Sequence, residues 1–400
     1  MIKKLIDIKL IQKVMQESEN DYSIEVNDIV FIFATNKGDN YASEMFRASI
    51  EYTRSNGIKK EKKSLIIKAE PLSEGLQKDL ITKSELFTTE MNMIMNTLVK
   101  MNELVKPEAC FSGRGLYTQI KPSLLIMEDL APLGFRMADR LNGLDDDHSL
   151  LAIRSLARFH ASSVALCEKD PSVKQCYTHG MFSANQPKEM QMFFIEGVKN
   201  LSKEMVNWPE LDPKIPQKLE KIADTVFEKA SKANIFRDNE FNVINHGDYW
   251  INNMMFKYND KNQPIAHIFV DFQFSHYSSP GIDLQYFFNT SLNDNYFTKN
   301  EQKLLEEYLR TLTLTMSRLK CQTKAPTMDE LMKMYKDRAF LGMMASLIIL
   351  PIILVKKDES MNINELMDAS VNGSVVYGGK SFRKAIVKRL PIFDKMGFLD

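Results

Sequence analysis

Cysteine is scarce in this chain. The 400 residues hold four, Cys110, Cys167, Cys176 and Cys321, with no CxxC pair and no histidine beside them at ligand spacing. So few thiols make no disulfide framework, their spacing argues against a structural zinc site, and reduced cytoplasm is the expected compartment. Net charge is missing as well. Fifty-two Lys and Arg stand against 52 Asp and Glu, a formal charge of zero, which excludes a polyanion binder, a polybasic membrane adherer and an acidic tail protein. Neither a nucleic-acid nor a membrane partner is expected. The opening residues, MIKKLIDIKLIQKVMQ, interrupt their apolar positions with Lys and Asp. They lack the unbroken apolar region of a signal peptide and predict an amphipathic helix. One uncharged run, 339–355, has 17 residues and contains Pro351; a membrane helix needs about 20, so a buried core helix is expected there. No repeat or low-complexity tract occurs.

What is present is an ordinary globular composition, 44% hydrophobic and 26% charged, too apolar for global disorder. Four hundred residues exceed what one core usually serves, so two lobes are expected. From Val26 to about Leu130 the pattern is strand-rich: VNDIVFIFAT, YASEMFRASIEY and SLIIKAE, then a helix over about 85–105, then LYTQI and SLLIME. The Lys run in RSNGIKKEKK reads as a solvated hairpin turn. After Leu130 the period is helical, near 146–168, 187–206, 213–234, 281–292, 299–320, 328–350 and 381–390, with a β-rich interruption over about 243–271. The expected fold is α+β: a protein-kinase-like bilobal arrangement, with a small antiparallel sheet lobe over 1–130 and a mostly helical lobe over 131–400.

The residues that carry chemistry lie in that interruption. NHGDYWINNMMFKY is followed by IAHIFVDFQFS, so Asp248 and Asn253 share a loop between strands and Asp271 ends an apolar strand. Phosphoryl transfer needs a carboxylate to accept the proton of an attacking hydroxyl, and oxygen ligands for Mg²⁺. The spacing parallels the H-R-D-x-x-x-x-N and D-F-G pair of protein kinases. The same chemistry needs a lysine on the third strand, and Lys68 ends the apolar run SLIIKAE. It is expected to contact the α- and β-phosphates, held by a glutamate of the next helix. Glu90 lies roughly 70° from the middle of the stripe formed by Phe87, Met91, Ile94 and Leu98, and Glu85 roughly 150° away. Glu90 is therefore the expected partner.

Gly38, Asn40 and Ser43 sit between the first two strands, where backbone N–H groups and a hydroxyl could meet phosphate oxygens. Backbone groups of Met127, Glu128, Asp129 and Leu130, at the exit from the fifth strand, could present a donor and an acceptor to adenine. His160 shares a helical face with Ile153, Ala157 and Val164 and reads as a core histidine. His246 reads as a loop hydrogen-bonder, and Asp283, opening a helix after Pro-Gly, as a structural cap bracing the loop.

Together NKGDNYASEMFR, SLIIKAEP, FTTEMNMI, LLIMEDL, LARFHASS, NHGDYWINNMMFKY and VDFQFSHYSSPGIDLQYFF resemble the insect ecdysteroid-kinase-like proteins, of the choline and aminoglycoside kinase group. The resemblance covers about 28–350. It implies transfer of the γ-phosphate of ATP, with Mg²⁺, to a hydroxyl of a small-molecule alcohol, with ecdysteroid steroids the best-known acceptors. It makes Asp248 the base, Asn253 and Asp271 the metal ligands, and Lys68 with Glu90 the phosphate clamp. Lys37 and Asp39 flank Gly38 where the family's loop is richer in glycine and serine, and no APE-like element follows VDFQ, so a protein substrate is not expected. A kinase of a cationic amino alcohol such as choline, and a non-catalytic hormone or nucleotide binder, are the competing readings. Acceptor identity and oligomeric state have no motif that reports them.

Overall fold

The computed structural model describes residues 5–34, 43–55, 57, 59–71, 76–294, 300–355 and 376–400. Five strands form one antiparallel sheet in the order β1-β2-β3-β5-β4: β1 Glu25–Phe33, β2 Glu44–Thr53, β3 Glu61–Ala69, β4 Gly115–Gln119 and β5 Leu124–Glu128. Alternation along β3 divides its side chains between two faces. Leu65, Ile67 and Ala69 turn into a core that also takes Phe46, Ala48, Ile50, Leu124 and Ile126. Covering that core is the amphipathic helix Ile8–Glu19, capped by Asp7, whose carboxylate accepts from the Leu10 N–H at 2.8 Å. Its buried residues Ile11, Val14 and Met15 belong to the same core. The opposite face of β3 carries Ser64, Ile66 and Lys68.

The helix after β3 runs through 86–105 with a π turn at Met93–Thr97. Its second half packs into the larger helical core, with Met93, Leu98, Met101 and Val105 all buried there. The π turn is pinned by a buried contact, the Thr97 hydroxyl at 2.6 Å from the Tyr177 hydroxyl. Tyr177→Phe would leave the Thr97 oxygen without that partner, and we expect a loss of about 1–2 kcal/mol, read from the urea midpoint at unchanged m-value.

The helical lobe is organised around Asp146–Lys169 and Gly281–Thr290, the latter buried along its whole length. Asp145 caps the first, and Asp146 and Asp147 lie in its first turn, where the helix dipole favours negative charge. Among the described residues one helix, Asp146–Lys169, is long and apolar enough to cross a membrane, and the bent pair Met328–Asp337 with Ala339–Leu354 passes only when taken as one span. The first is mostly buried inside the protein, and so are residues 339–351 of the second. A π turn at Ala345–Ile349 precedes Pro351. Proline lacks the N–H that an α-turn would use and its ring crowds the preceding carbonyl, so the wider turn relieves the conflict. The β-rich interruption is real but small: β7 Val243–Asn245 pairs with β10 His276–Ser278, and β8 Met254–Tyr258 lies between β6 Phe135–Met137 and β9 Pro264–Phe269. This is the α+β protein-kinase-like bilobal architecture.

Candidate active site

Loop 246–253 leaves β7 and enters β8, and Asp271 follows β9 on the way to β10, so two connections between the small sheets converge. They are tied by the Val270 N–H, which donates to the Asn253 carbonyl at 3.1 Å. Asn253 donates through its side-chain amide to Asp248, to Oδ2 and to the backbone oxygen, each at 2.9 Å. Burial pushes the Asp248 carboxyl up to about 7, against the opposing donors Tyr286 and Asn253, with the charge of Asp271 adding to the rise. A proton affinity near neutrality suits a group that must accept a proton at working pH.

Lys68 closes the site from the sheet. Its ammonium lies 2.7 Å from Glu90 Oε2 and 2.9 Å from Asp271 Oδ1, with side chains 2%, 1% and 28% exposed respectively. Burial alone would discharge the amine; the charges of Asp271 and Glu90 outweigh it and hold the pKa above the ordinary lysine value. Burial likewise pushes Glu90 up, against the pull of Lys68. Gln273 reaches the same carboxylate, its amide 3.4 Å from Glu90 Oε2. Glu85, the alternative partner on the sequence, lies outside the cluster with its side chain toward solvent and 3.8 Å from His179 Nδ1.

The loop itself is hung from Asp283. Its carboxylate accepts from the backbone N–H of His246 at 2.7 Å and of Gly247 at 2.8 Å, and from His160 Nε2 at 3.0 Å. The Tyr308 hydroxyl sits 2.7 Å from His160 Nδ1, and the proton on Nε2 points to the Asp283 carboxylate, which can only accept. Burial raises the Asp283 carboxyl, but donation from His160 and the loop N–H groups wins and leaves its pKa below the ordinary value. His246 is buried, which pulls its pKa below the ordinary imidazole value; its Nε2–H donates to the Val270 carbonyl at 3.0 Å, and its ring packs on Phe272 at 4.8 Å.

Lys68, Glu90, Asn253 and Asp271 line one part of a cleft of about 890 Å³, and Met127, Glu128, Asp129 and Leu130 another. In that second group the Glu128 N–H donates to the Arg114 carbonyl at 2.9 Å, and the Leu130 carbonyl accepts from the N–H groups of Leu133 and Phe135. Asp129 turns its side chain away from the role of a passive linker: it accepts from Arg47, from the Ser64 hydroxyl and from the Ala131 N–H. Ser43 is buried at the start of β2. Gly38 and Asn40 lie outside the described residues.

The donor set suits a hard divalent cation. Asn253 and Asp271 offer an amide and a carboxylate oxygen in the lining of one cleft, and among the described residues no group of three or more His, Cys, Asp or Glu forms an all-protein cage. A cation there would complete its shell with phosphate oxygens and water, as Mg²⁺ commonly does.

Three contributors escaped the sequence reading. Gln273 directly follows the Asp-Phe pair, and that adjacency to Asp271 is its sequence signal. Tyr286 lies three residues beyond Asp283, on the same helical face, and that spacing was a usable signal. Arg47 carried no local signal.

A family model described as the ecdysteroid kinase-like family matches residues 37–321, and the chain belongs to that family. Among solved structures the chain is similar to an ethanolamine kinase of Plasmodium vivax, at 13% identity and TM-score 0.42, covering 94% of this chain and 90% of that one. It is similar also to the amicoumacin kinase hAmiN in complex with AMP-PNP, Ca²⁺ and Ami, at 14% identity and TM-score 0.43, with 94% and 93% covered. No curated protein matches the chain.

Proposed function

We propose that this protein is a small-molecule kinase that transfers the γ-phosphate of ATP to a hydroxyl of an apolar alcohol such as an ecdysteroid. Family membership supports the kinase class. The observation that carries the reading is the buried Lys68–Glu90–Asp271 cluster joined, through Asn253, to Asp248. In this reading the nucleotide lies at the split near Leu130, between 1–130 and 131–400, with its phosphates at Lys68. Asp248 accepts the proton of the acceptor hydroxyl while that oxygen bonds to the γ-phosphorus and the bridging bond breaks, releasing ADP. Mg²⁺, held by Asn253 and Asp271, would neutralise charge on the phosphate oxygens. Glu90 and Gln273 keep Lys68 in place, and Asp283 holds the loop that presents Asp248.

Two measurements test this. Mg-ATP at a hundred times its Kd should stabilise the fold by about 2.7 kcal/mol; a protein that ignores nucleotide shows no shift, and the kinase reading fails. Incubation with Mg-ATP and a metabolite panel, read by product mass, should yield a phosphorylated alcohol. Phosphorylation of choline or ethanolamine but not of ecdysone would keep the kinase and overturn the apolar acceptor.

A further inference from the structure

Arg47 places a cation among the apolar side chains of Ala34, Met45, Ile66 and Met127 in the cleft wall. The register sets Arg47 opposite Ile66 and Ile66 opposite Met127, across β2, β3 and β5. Residues directly opposed in a ladder project from the same face, and this is the face that carries Lys68, two residues along β3. Arg47 therefore lies about 7 Å along the sheet from the lysine row, beside the exit from β5. Ala34, Met45, Ile66 and Met127 line the cleft around it.

The guanidinium is also fixed. Its Nε donates to Asp129 Oδ2 at 2.7 Å and its Nη2 to Oδ1 at 3.4 Å. Asp129 is only 5% exposed and accepts in addition from the Ser64 hydroxyl and the Ala131 N–H. A buried carboxylate held from three sides thus grips one edge of the fork, while the Arg47 side chain stays 33% exposed within the cleft lining. A planar cation clamped by its edge offers its face to an aromatic ring, an interaction that lysine, as a compact point charge, makes less well.

We propose that Arg47 is a specificity-determining residue for the donor nucleotide: its guanidinium stacks on the base, and Asp129 is the positioning residue that holds it flat. The inference rests on the kinase reading above. It assigns base recognition to a side chain of β2, in addition to the backbone groups at the exit from β5.

The test is calorimetric and needs no acceptor. Full-length wild type and Arg47→Ala are titrated, with Mg²⁺ present, with ATP and with ribose 5′-triphosphate, which has the phosphates but no base. Arg47→Ala should weaken ATP about tenfold and leave ribose triphosphate within about twofold. Arg47→Lys keeps a cation for Asp129 without the planar face; should the alanine variant fail to fold, it carries the same comparison, with about a threefold loss confined to ATP. Equal weakening of both ligands, or of neither, would overturn the stacking role and leave Arg47 as a strut between β2 and β5. If wild type binds neither ligand, the kinase reading falls with it; if wild type binds ATP and the ratio is unchanged in the variants, only the Arg47 assignment falls.

Discussion

Asp248→Asn is expected to lower kcat by about 10²–10⁴-fold while the Kd for Mg-ATP moves by less than about threefold. Asparagine has the shape of aspartate, and its carbonyl oxygen can still accept from the Asn253 amide, which donates to Asp248 Oδ2 at 2.9 Å. The loop should therefore keep its form and the melting temperature its value. What the amide cannot do is take a proton from the acceptor hydroxyl as the bond to phosphorus forms. Single-turnover kinetics with saturating nucleotide separate that step from binding. Turnover at the wild-type rate would remove Asp248 from the role of base.

Gly247→Ala should be the most damaging single substitution in the loop. Gly247 has φ +82°, a left-handed conformation that costs an L-residue about 1–2 kcal/mol. A Cβ built there would stand 1.9 Å from the Phe274 carbonyl oxygen and 2.6 Å from its carbon, both backbone atoms. Relief requires the loop to move, which also breaks the Gly247 N–H bond to Asp283 Oδ1 and leaves buried polar groups unpaired at about 1–3 kcal/mol. We expect a loss of about 3–5 kcal/mol by urea denaturation, and turnover reduced along with it because Asp248 is the next residue. Gly379→Ala is the control. Gly379 has φ −62° at the start of Lys380–Lys395, and a Cβ there meets nothing within 4 Å. That change should cost under about 1 kcal/mol. Equal losses at the two positions would refute the steric account.

Much of the secondary structure was legible because it follows from local period. The five strands of the sheet and the helices after Leu130 appear where alternation and the 3.6 period place them. Two of the misses share a cause, which is that packing can break an element without breaking its pattern. The stretch expected as one helix over 213–234 is Lys214–Ile222 and Val226–Asn234, joined by a 3₁₀ turn at Ala223–Thr225. Likewise the run from Met328 bends by 51° at Arg338, where a fully buried guanidinium pairs with Glu240 at 2.6 Å. Nothing in the apolar spacing on either side marks that ion pair. β6, three residues long, is too short to show alternation and exists through its pairing with β8.

In the candidate site, residue type and spacing along the chain point to Asp248, Asn253, Asp271, Lys68 and Glu90, and prefer Glu90 over Glu85 as the partner of Lys68, the pairing seen in the structure. Each rests on a short-range rule: a loop between strands, the end of an apolar run, the edge of a helical stripe. The partnerships did not follow from any such rule. Lys68 meets Asp271 across 203 residues of chain, Gln273 meets Glu90 across 183, and Arg47 meets Asp129 across 82. Local chemistry decides which residue types stand on the strand, on the helix and in the loop. Which charge neutralises which, and which donor keeps Asp248 in place, depends on how β3, the helix over 86–105 and the connections after β7 and β9 dock on one another, and that docking is settled by burial of side chains far apart in sequence.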